Sequence, residues 1–181
     1  PSPLHPFTPS PVLAVAASTG GPEAVAKLLA GLGPGFAAPV VIAQHIGDDY
    51  TAGLAAWLST RSGRPVRLPV AGDRPQAGVA YLAGGDDHLT LDADGRFRFT
   101  PHPADYPYRP SADVLFESLA ANWPAGGAAV VLTGMGGDGA KGLLALRSRG
   151  WHTVAQDKAS SVVYGMPKAA AELGAAAEVL P

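Results

Sequence analysis

The sequence predicts an α/β fold: a doubly wound, mostly parallel sheet with helices on both faces, plus an antiparallel β-hairpin. Three observations carry this. Short apolar runs alternate with segments of helical periodicity along the chain. Most of those runs are apolar throughout rather than at every second residue, as strands buried on both faces require. Leu89 to Leu91 and Phe97 to Phe99 flank Asp92-Ala93-Asp94-Gly95, a turn between two strand-like runs.

The elements follow in order. Val12 to Ala16 reads as a buried strand. Gly20-Gly21-Pro22 opens a helix, with Pro in the first turn where its missing N–H costs nothing. Val25, Leu28, Leu29 and Leu32 give that helix one apolar face. Pro39 to Ala43 is a second strand. Thr51 is expected to cap the next helix, whose apolar face is Leu54, Trp57 and Leu58. Val66 to Val70 and Val79 to Ala83 read as strands. Ser111 caps a helix carrying Leu115 and Leu119. Ala128 to Leu132 is a core strand, and a helix follows from about Asp138 to Arg149, stopped by Gly150. Thr153 to Gln156 is a strand and Pro167 to Leu173 a last short helix. No internal repeat is present.

The chain has 181 residues, enough for one compact domain with a sizeable core. Hydrophobic residues make up 47% and charged residues 15%, a globular balance. The net charge of −2 offers no basic stripe, so no nucleic-acid partner is expected. The apolar runs are too short to span a bilayer and no signal peptide is read, so a cytoplasmic protein without membrane insertion is expected. There is no cysteine, which excludes disulfides, a thiol nucleophile and thiolate metal sites. The first residue is Pro1 rather than Met, and a processed or trimmed fragment is expected. Residues 1–11, PSPLHPFTPSP, read as a Pro-rich linker or arm, and 12–181 as the catalytic domain.

In a doubly wound sheet, chemistry gathers at the carboxyl ends of the strands. Three junctions there stand out. The first is Ala16-Ala17-Ser18-Thr19-Gly20-Gly21-Pro22. A Ser between a buried strand and a helix presents its hydroxyl beside free helix N–H groups, as a nucleophile needs. A phosphate-binding turn, or a tight loop with a capping Ser, explains the same residues. The second is Val41-Ile42-Ala43-Gln44-His45. A His closing an apolar strand needs a partner, and its imidazole suits general-base work near neutrality. A structural histidine is the alternative. The third is Leu132-Thr133-Gly134-Met135-Gly136-Gly137-Asp138-Gly139, a glycine-rich loop opening a helix. Its N–H groups suit an oxyanion. Asp138 either caps the helix or orients His45. The Lys-Ser/Thr ending of a phosphate-binding P-loop is missing, since Ala140-Lys141-Gly142 follows. Together the junctions place Ser18, His45 and Asp138 at three strand ends, the constellation of a hydrolase triad.

Other groups are weaker candidates. Asp86-Asp87-His88 suggests a metal, but adjacent loop residues rarely converge, and no metal or organic cofactor is expected. Glu117 reads as a solvated charge. Arg109 is a candidate contact for an acidic substrate helix, or a plain surface residue.

Ser18-Thr19-Gly20-Gly21-Pro22, Gln44-His45, Arg109-Pro110-Ser111-Ala112-Asp113-Val114-Leu115-Phe116, Leu132 to Ala140 and Gly165-Met166-Pro167 resemble, in motif and order, the catalytic domain of the CheB family of chemotaxis protein-glutamate methylesterases. The likeness runs from about Val12 to the end. It implies hydrolysis of methyl esters on glutamate side chains of the cytoplasmic helices of methyl-accepting chemoreceptors, and deamidation of glutamine there. It implies Ser18 as nucleophile, His45 as base and Asp138 as orienting acid. It implies that the Met135 N–H helps form the oxyanion hole and that Thr19 stands beside the nucleophile. It also implies that Tyr164-Gly165-Met166-Pro167 lines the cleft. Family members usually carry an N-terminal receiver domain, a possible partner outside this chain. After the His the family tends to read Met-Pro-Pro; here Ile46-Gly47-Asp48-Asp49 follows, which makes the substrate rim more negative. A non-catalytic receptor- or phosphate-binding module is the alternative from another class.

Overall fold

The structure, a computed structural model, describes residues 9–181. Its elements are β1 (Val12–Ala17), α1 (Gly21–Gly31), β2 (Val40–Gln44), α2 (Asp48–Ser62), β3 (Val66–Arg67), β4 (Ala80–Ala83), β5 (His88–Leu91), β6 (Phe97–Thr100), α3 (Ala112–Asn122), β7 (Gly127–Val131), α4 (Ala140–Ser148), β8 (His152–Gln156), α5 (Met166–Glu172) and β9 (Glu178–Leu180). Seven strands form one sheet in the order β3-β4-β2-β1-β7-β8-β9, with every pairing parallel. β5 and β6 form the antiparallel hairpin. The strand order reverses between β1 and β7, the switch point where such sheets open a crevice.

Each sheet face has its own core. On one, Ala14, Ala16, Val41, Ala43 and Val131 pack against Leu115 and Phe116 of α3, Leu143 and Leu146 of α4, Met166 of α5 and Leu89 and Phe97 of the hairpin. On the other, Leu13, Val15 and Ile42 meet Val25 and Leu29 of α1 and Leu54 and Leu58 of α2. The helices of this second face cover only part of the sheet. Val130 and Val154 line an open apolar groove with Leu28, Leu32 and Phe36.

Several boundaries differ from the sequence reading. α2 begins at Asp48, with Gly47 as its N-cap and Asp48 and Asp49 favoured by the dipole in the first turn. Thr51 is therefore not the cap: it is buried inside α2 and donates back to the Gly47 carbonyl at 3.4 Å. Trp57 falls outside the buried arc of Thr51, Leu54, Ala55 and Leu58 and is 40% exposed. β3 stops at Arg67, because Pro69 has no N–H for a ladder. β9 went unread because it is three exposed residues without periodicity. Of the expected N-terminal arm, residues 1–8 lie outside the described residues. Ser10 is tied down, its carbonyl accepting from the Trp123 indole at 3.0 Å.

α3 and α4 approach most closely at Gly142. A Cβ there would fall 2.6 Å from the Phe116 Cβ and 2.9 Å from the Asp113 carbonyl oxygen. That spacing fixes where both helices begin, and the site is built on those two beginnings. Gly142→Ala is expected to lower the unfolding free energy by about 1–3 kcal/mol through overpacking. Urea unfolding reads this directly, and an unshifted midpoint would show that the helices separate at no cost.

Candidate active site

Parallel register brings the first two residues together. Ala17 pairs with Gln44 in the last rung of β1 and β2, so Ser18 and His45 leave the sheet side by side. The His45 N–H donates to the Ala17 carbonyl at 3.0 Å, and the Ser18 N–H to the Thr133 carbonyl beyond β7 at 3.0 Å. Side chains alternate along a strand, so both point to the face carrying α3 and α4. The Ser18 carbonyl accepts from the Gly21 N–H at 2.7 Å and from the buried Gln44 amide at 2.9 Å. These bonds fix the turn that presents the hydroxyl. Gly134 lies against it: a Cβ there would stand 2.8 Å from the Ser18 Cβ and 2.3 Å from the Met166 sulfur.

Asp138 reaches the same place from the glycine-rich loop. α4 starts two residues later, at Ala140, with Gly139 as its N-cap, so Asp138 does not cap the helix it precedes. Its carboxylate instead crosses to the N-terminus of α3. Oδ1 accepts from the Ser111 hydroxyl at 2.8 Å and the Asp113 N–H at 3.0 Å. Oδ2 accepts from the Ala112 N–H at 2.7 Å and faces His45 Nε2 at 2.7 Å. The helix supplies N–H groups with no intrahelical partner and the positive end of its dipole. Burial pushes the Asp138 pKa up; the hydrogen bonds from His45, the Asp113 and Ala112 N–H groups and Ser111 outweigh it and hold the pKa below the ordinary carboxylate value. Asp138 is therefore ionised, and His45 presents Nε2–H to it.

The other ring nitrogen of His45, Nδ1, is buried and has no hydrogen-bond partner among the described residues. A ring with Nε2 engaged by a carboxylate and Nδ1 open is a base aimed away from its acid. No hydrogen bond joins Ser18 to His45 in this resting state, as is common before substrate binds. Thr19 and Met135 are both exposed, Met135 at 65%. Their N–H groups donate to no acceptor among the described residues, so both are open to a ligand.

Three contributors escaped the sequence reading. Gln44 is a buried amide closing an apolar strand, a visible signal whose role was not drawn. Ser111 was read as the α3 cap, which it is, accepting from the Val114 N–H at 3.3 Å; its hydroxyl also donates to Asp138. Tyr108, in a loop without periodicity, stacks on His45. Of the weaker candidates, Glu117 is exposed, and the exposed Arg109 guanidinium donates to the Ala104 carbonyl. His88 is fully buried, with Nδ1 accepting from the Ser111 N–H at 3.1 Å and Nε2 facing the Pro103 carbonyl at 3.2 Å. Neither of its nitrogens is open to a metal.

Asp113, beside Asp138, behaves oppositely. Burial pushes its pKa up, against bonds from the Gly142 N–H at 2.7 Å and the Tyr106 hydroxyl at 2.5 Å, and the Asp138 charge raises it further. For Asp138 the folded pKa lies below the unfolded value. Its ionisation thus adds stability that is complete above about pH 4 and is lost as pH falls through the folded value. Asp138→Asn should be less stable than the parent by about 1–3 kcal/mol at neutral pH. That gap should close on acidification below about pH 4. Urea titrations across pH measure it, and a gap independent of pH would contradict an ionised Asp138.

Comparison with known proteins identifies the family. The family model described as CheB methylesterase matches residues 13–181. The chain is similar to the protein-glutamate methylesterase/protein-glutamine glutaminase 2 of Cupriavidus metallidurans, 53% identical over 185 residues, covering 100% of this chain and 55% of that protein. It is similar also to the protein-glutamate methylesterase/protein-glutamine glutaminase 1 of Burkholderia lata, 54% identical over 171 residues, covering 94% of this chain and 51% of that protein. The chain thus spans about half the length of these relatives. Its fold superimposes on the crystal structure of the Thermotoga maritima CheB methylesterase catalytic domain with a TM-score of 0.90, at 34% identity, covering 96% of this chain and 94% of that one. A family model spanning nearly the whole chain, and relatives above half identity, place this protein in the CheB methylesterase family.

Proposed function

We propose that this chain is the catalytic domain of a protein-glutamate methylesterase, a serine hydrolase whose substrates are methylated glutamates on the cytoplasmic helices of chemoreceptors. The observation that carries the reading is the state of His45. Nε2 is engaged by an ionised Asp138, while Nδ1 is buried, unpartnered and on the strand end next to Ser18.

Ser18 Oγ attacks the ester carbonyl as His45 Nδ1 takes its proton. Asp138 keeps the proton of Nε2 in place and stabilises the imidazolium. The open N–H groups of Thr19 and Met135 receive the oxyanion, each such donor contributing roughly 3–4 kcal/mol in hydrolases of this type. The imidazolium passes its proton to the departing methoxide, and methanol leaves. Water, activated by the same imidazole, attacks the acyl-enzyme and releases glutamate. The same steps on a glutamine side chain expel ammonia, which fits the double name of the curated relatives. Every step uses groups of this chain and water.

In the whole protein, residues 1–11 serve as the linker to a receiver domain, residues 12–181 act as the esterase, and the setting is cytoplasmic. Among the described residues no helix is long and apolar enough to cross a membrane. Ser18→Ala should reduce methanol release from membranes bearing methylated receptors by several orders of magnitude. Ammonia release from unmodified receptor, measured in parallel, separates esterase from glutaminase activity. Undiminished methanol release in Ser18→Ala would end the triad reading.

A further inference from the structure

The His45 ring is held by one hydrogen bond, Nε2 to Asp138, and Nδ1 has no partner among the described residues. That bond and the ring's covalent attachment at Cβ fix an axis through the ring and leave its plane free to turn about that axis. Yet Nδ1 must point at Ser18 for a proton to pass. Something else must set the plane.

We propose that Tyr108 is the positioning residue that sets it. The tyrosine ring lies flat on the imidazole, with centroids 4.3 Å apart and planes 5° from parallel. Flat stacking resists tilt, the motion the hydrogen bond leaves open. Tyr108 is itself anchored. Its segment, 101–110, is held at the Pro103 carbonyl by the buried His88 ring at 3.2 Å and at the Tyr106 hydroxyl by Asp113 at 2.5 Å. The Arg109 guanidinium folds back on the Ala104 carbonyl. At its far end Pro110 is buried, and the next N–H, that of Ser111, returns to His88 at 3.1 Å. The Tyr108 hydroxyl abuts the glycine-rich loop, where a Cβ on Gly136 would fall 2.6 Å from it. The strap therefore rests on the start of α3, as Asp138 does. Both neighbours of the imidazole are set from one rigid point, so the ring plane and its hydrogen-bond axis keep their relation.

This inference rests on the hydrolase reading for its kinetic consequence, but not for its structural one. Tyr108→Leu keeps apolar bulk and removes the flat ring; Tyr108→Ala removes both; Tyr108→Phe keeps the ring. Turnover of a methyl ester should fall about ten- to hundredfold in kcat for Leu and Ala, a misplacement effect, with KM little changed. Phe should recover most of that loss. In the substrate-free protein, the His45 imidazole resonances should shift and broaden in the Leu and Ala variants and return in Phe. Full kcat in Tyr108→Leu, or imidazole resonances unmoved by it, would overturn the proposal. So would a loss confined to KM, which would make Tyr108 a substrate contact. Absence of ester turnover in the parent protein would instead sink the hydrolase reading, and the resonances would still decide the stack.

Discussion

The Asp138 carboxylate is fully buried, and both its oxygens are filled by donors from distant parts of the chain. Taking a charge that deep costs several kcal/mol. Four charge-assisted bonds, each contributing about 1.5–3 kcal/mol, offset that cost. The bonds outweigh the burial, as the lowered Asp138 pKa shows. What the arrangement provides is position. An ionised oxygen sits 2.7 Å from His45 Nε2 and cannot move without leaving the α3 N–H groups unpaired.

The two helices that enclose this charge cap each other. α3 offers its first N–H groups to Asp138, just before α4. Asp113, in the first turn of α3, accepts from the Gly142 N–H in the first turn of α4. The α3 start is therefore satisfied by a carboxylate from the loop that leads into α4, and the α4 start by one from α3, and Gly142 permits the close approach this needs. Two carboxylates so near one another would repel if both were fully ionised. Their environments push their pKa values apart, Asp138 down by its donors and Asp113 up by burial. The donors around Asp138 thus hold a fixed anion beside His45.

The sheet and the three junctions were legible because they rest on local pattern. Buried parallel strands announce themselves as unbroken apolar runs, and polar residues at their carboxyl ends stand out against that background. Ser18, His45 and Asp138 were singled out as candidates that way. Asp138 was placed correctly, but its use was half read, since local spacing suggests a cap for the following helix. Its actual partners lie some 25 residues upstream in sequence, where no spacing rule reaches. Tyr108 was illegible for a similar reason. Its segment is rich in proline and has no period, and a ring stack between distant segments leaves no pattern in either. Thr51 misled because a hydroxyl near a helix start resembles a cap, whereas the acids at Asp48 and Asp49 already supply the favourable charge.

Rigidity is unevenly distributed among the three proposed triad residues. Asp138 has every acceptor site engaged, and His45 is fixed by a carboxylate on one edge and a ring on one face. Ser18 is held only through its backbone, by Thr133, Gly21 and Gln44, and its hydroxyl has no partner among the described residues. A nucleophile that must form and break a bond to substrate has to change its geometry twice per turnover. A base that passes a proton and a carboxylate that only orients it do not, and disorder in them would mispoint every transfer. The uneven restraint follows from these demands. In the proposed reaction only the Ser18 hydroxyl still has to find its partner, because the His45 to Asp138 pair is already bonded.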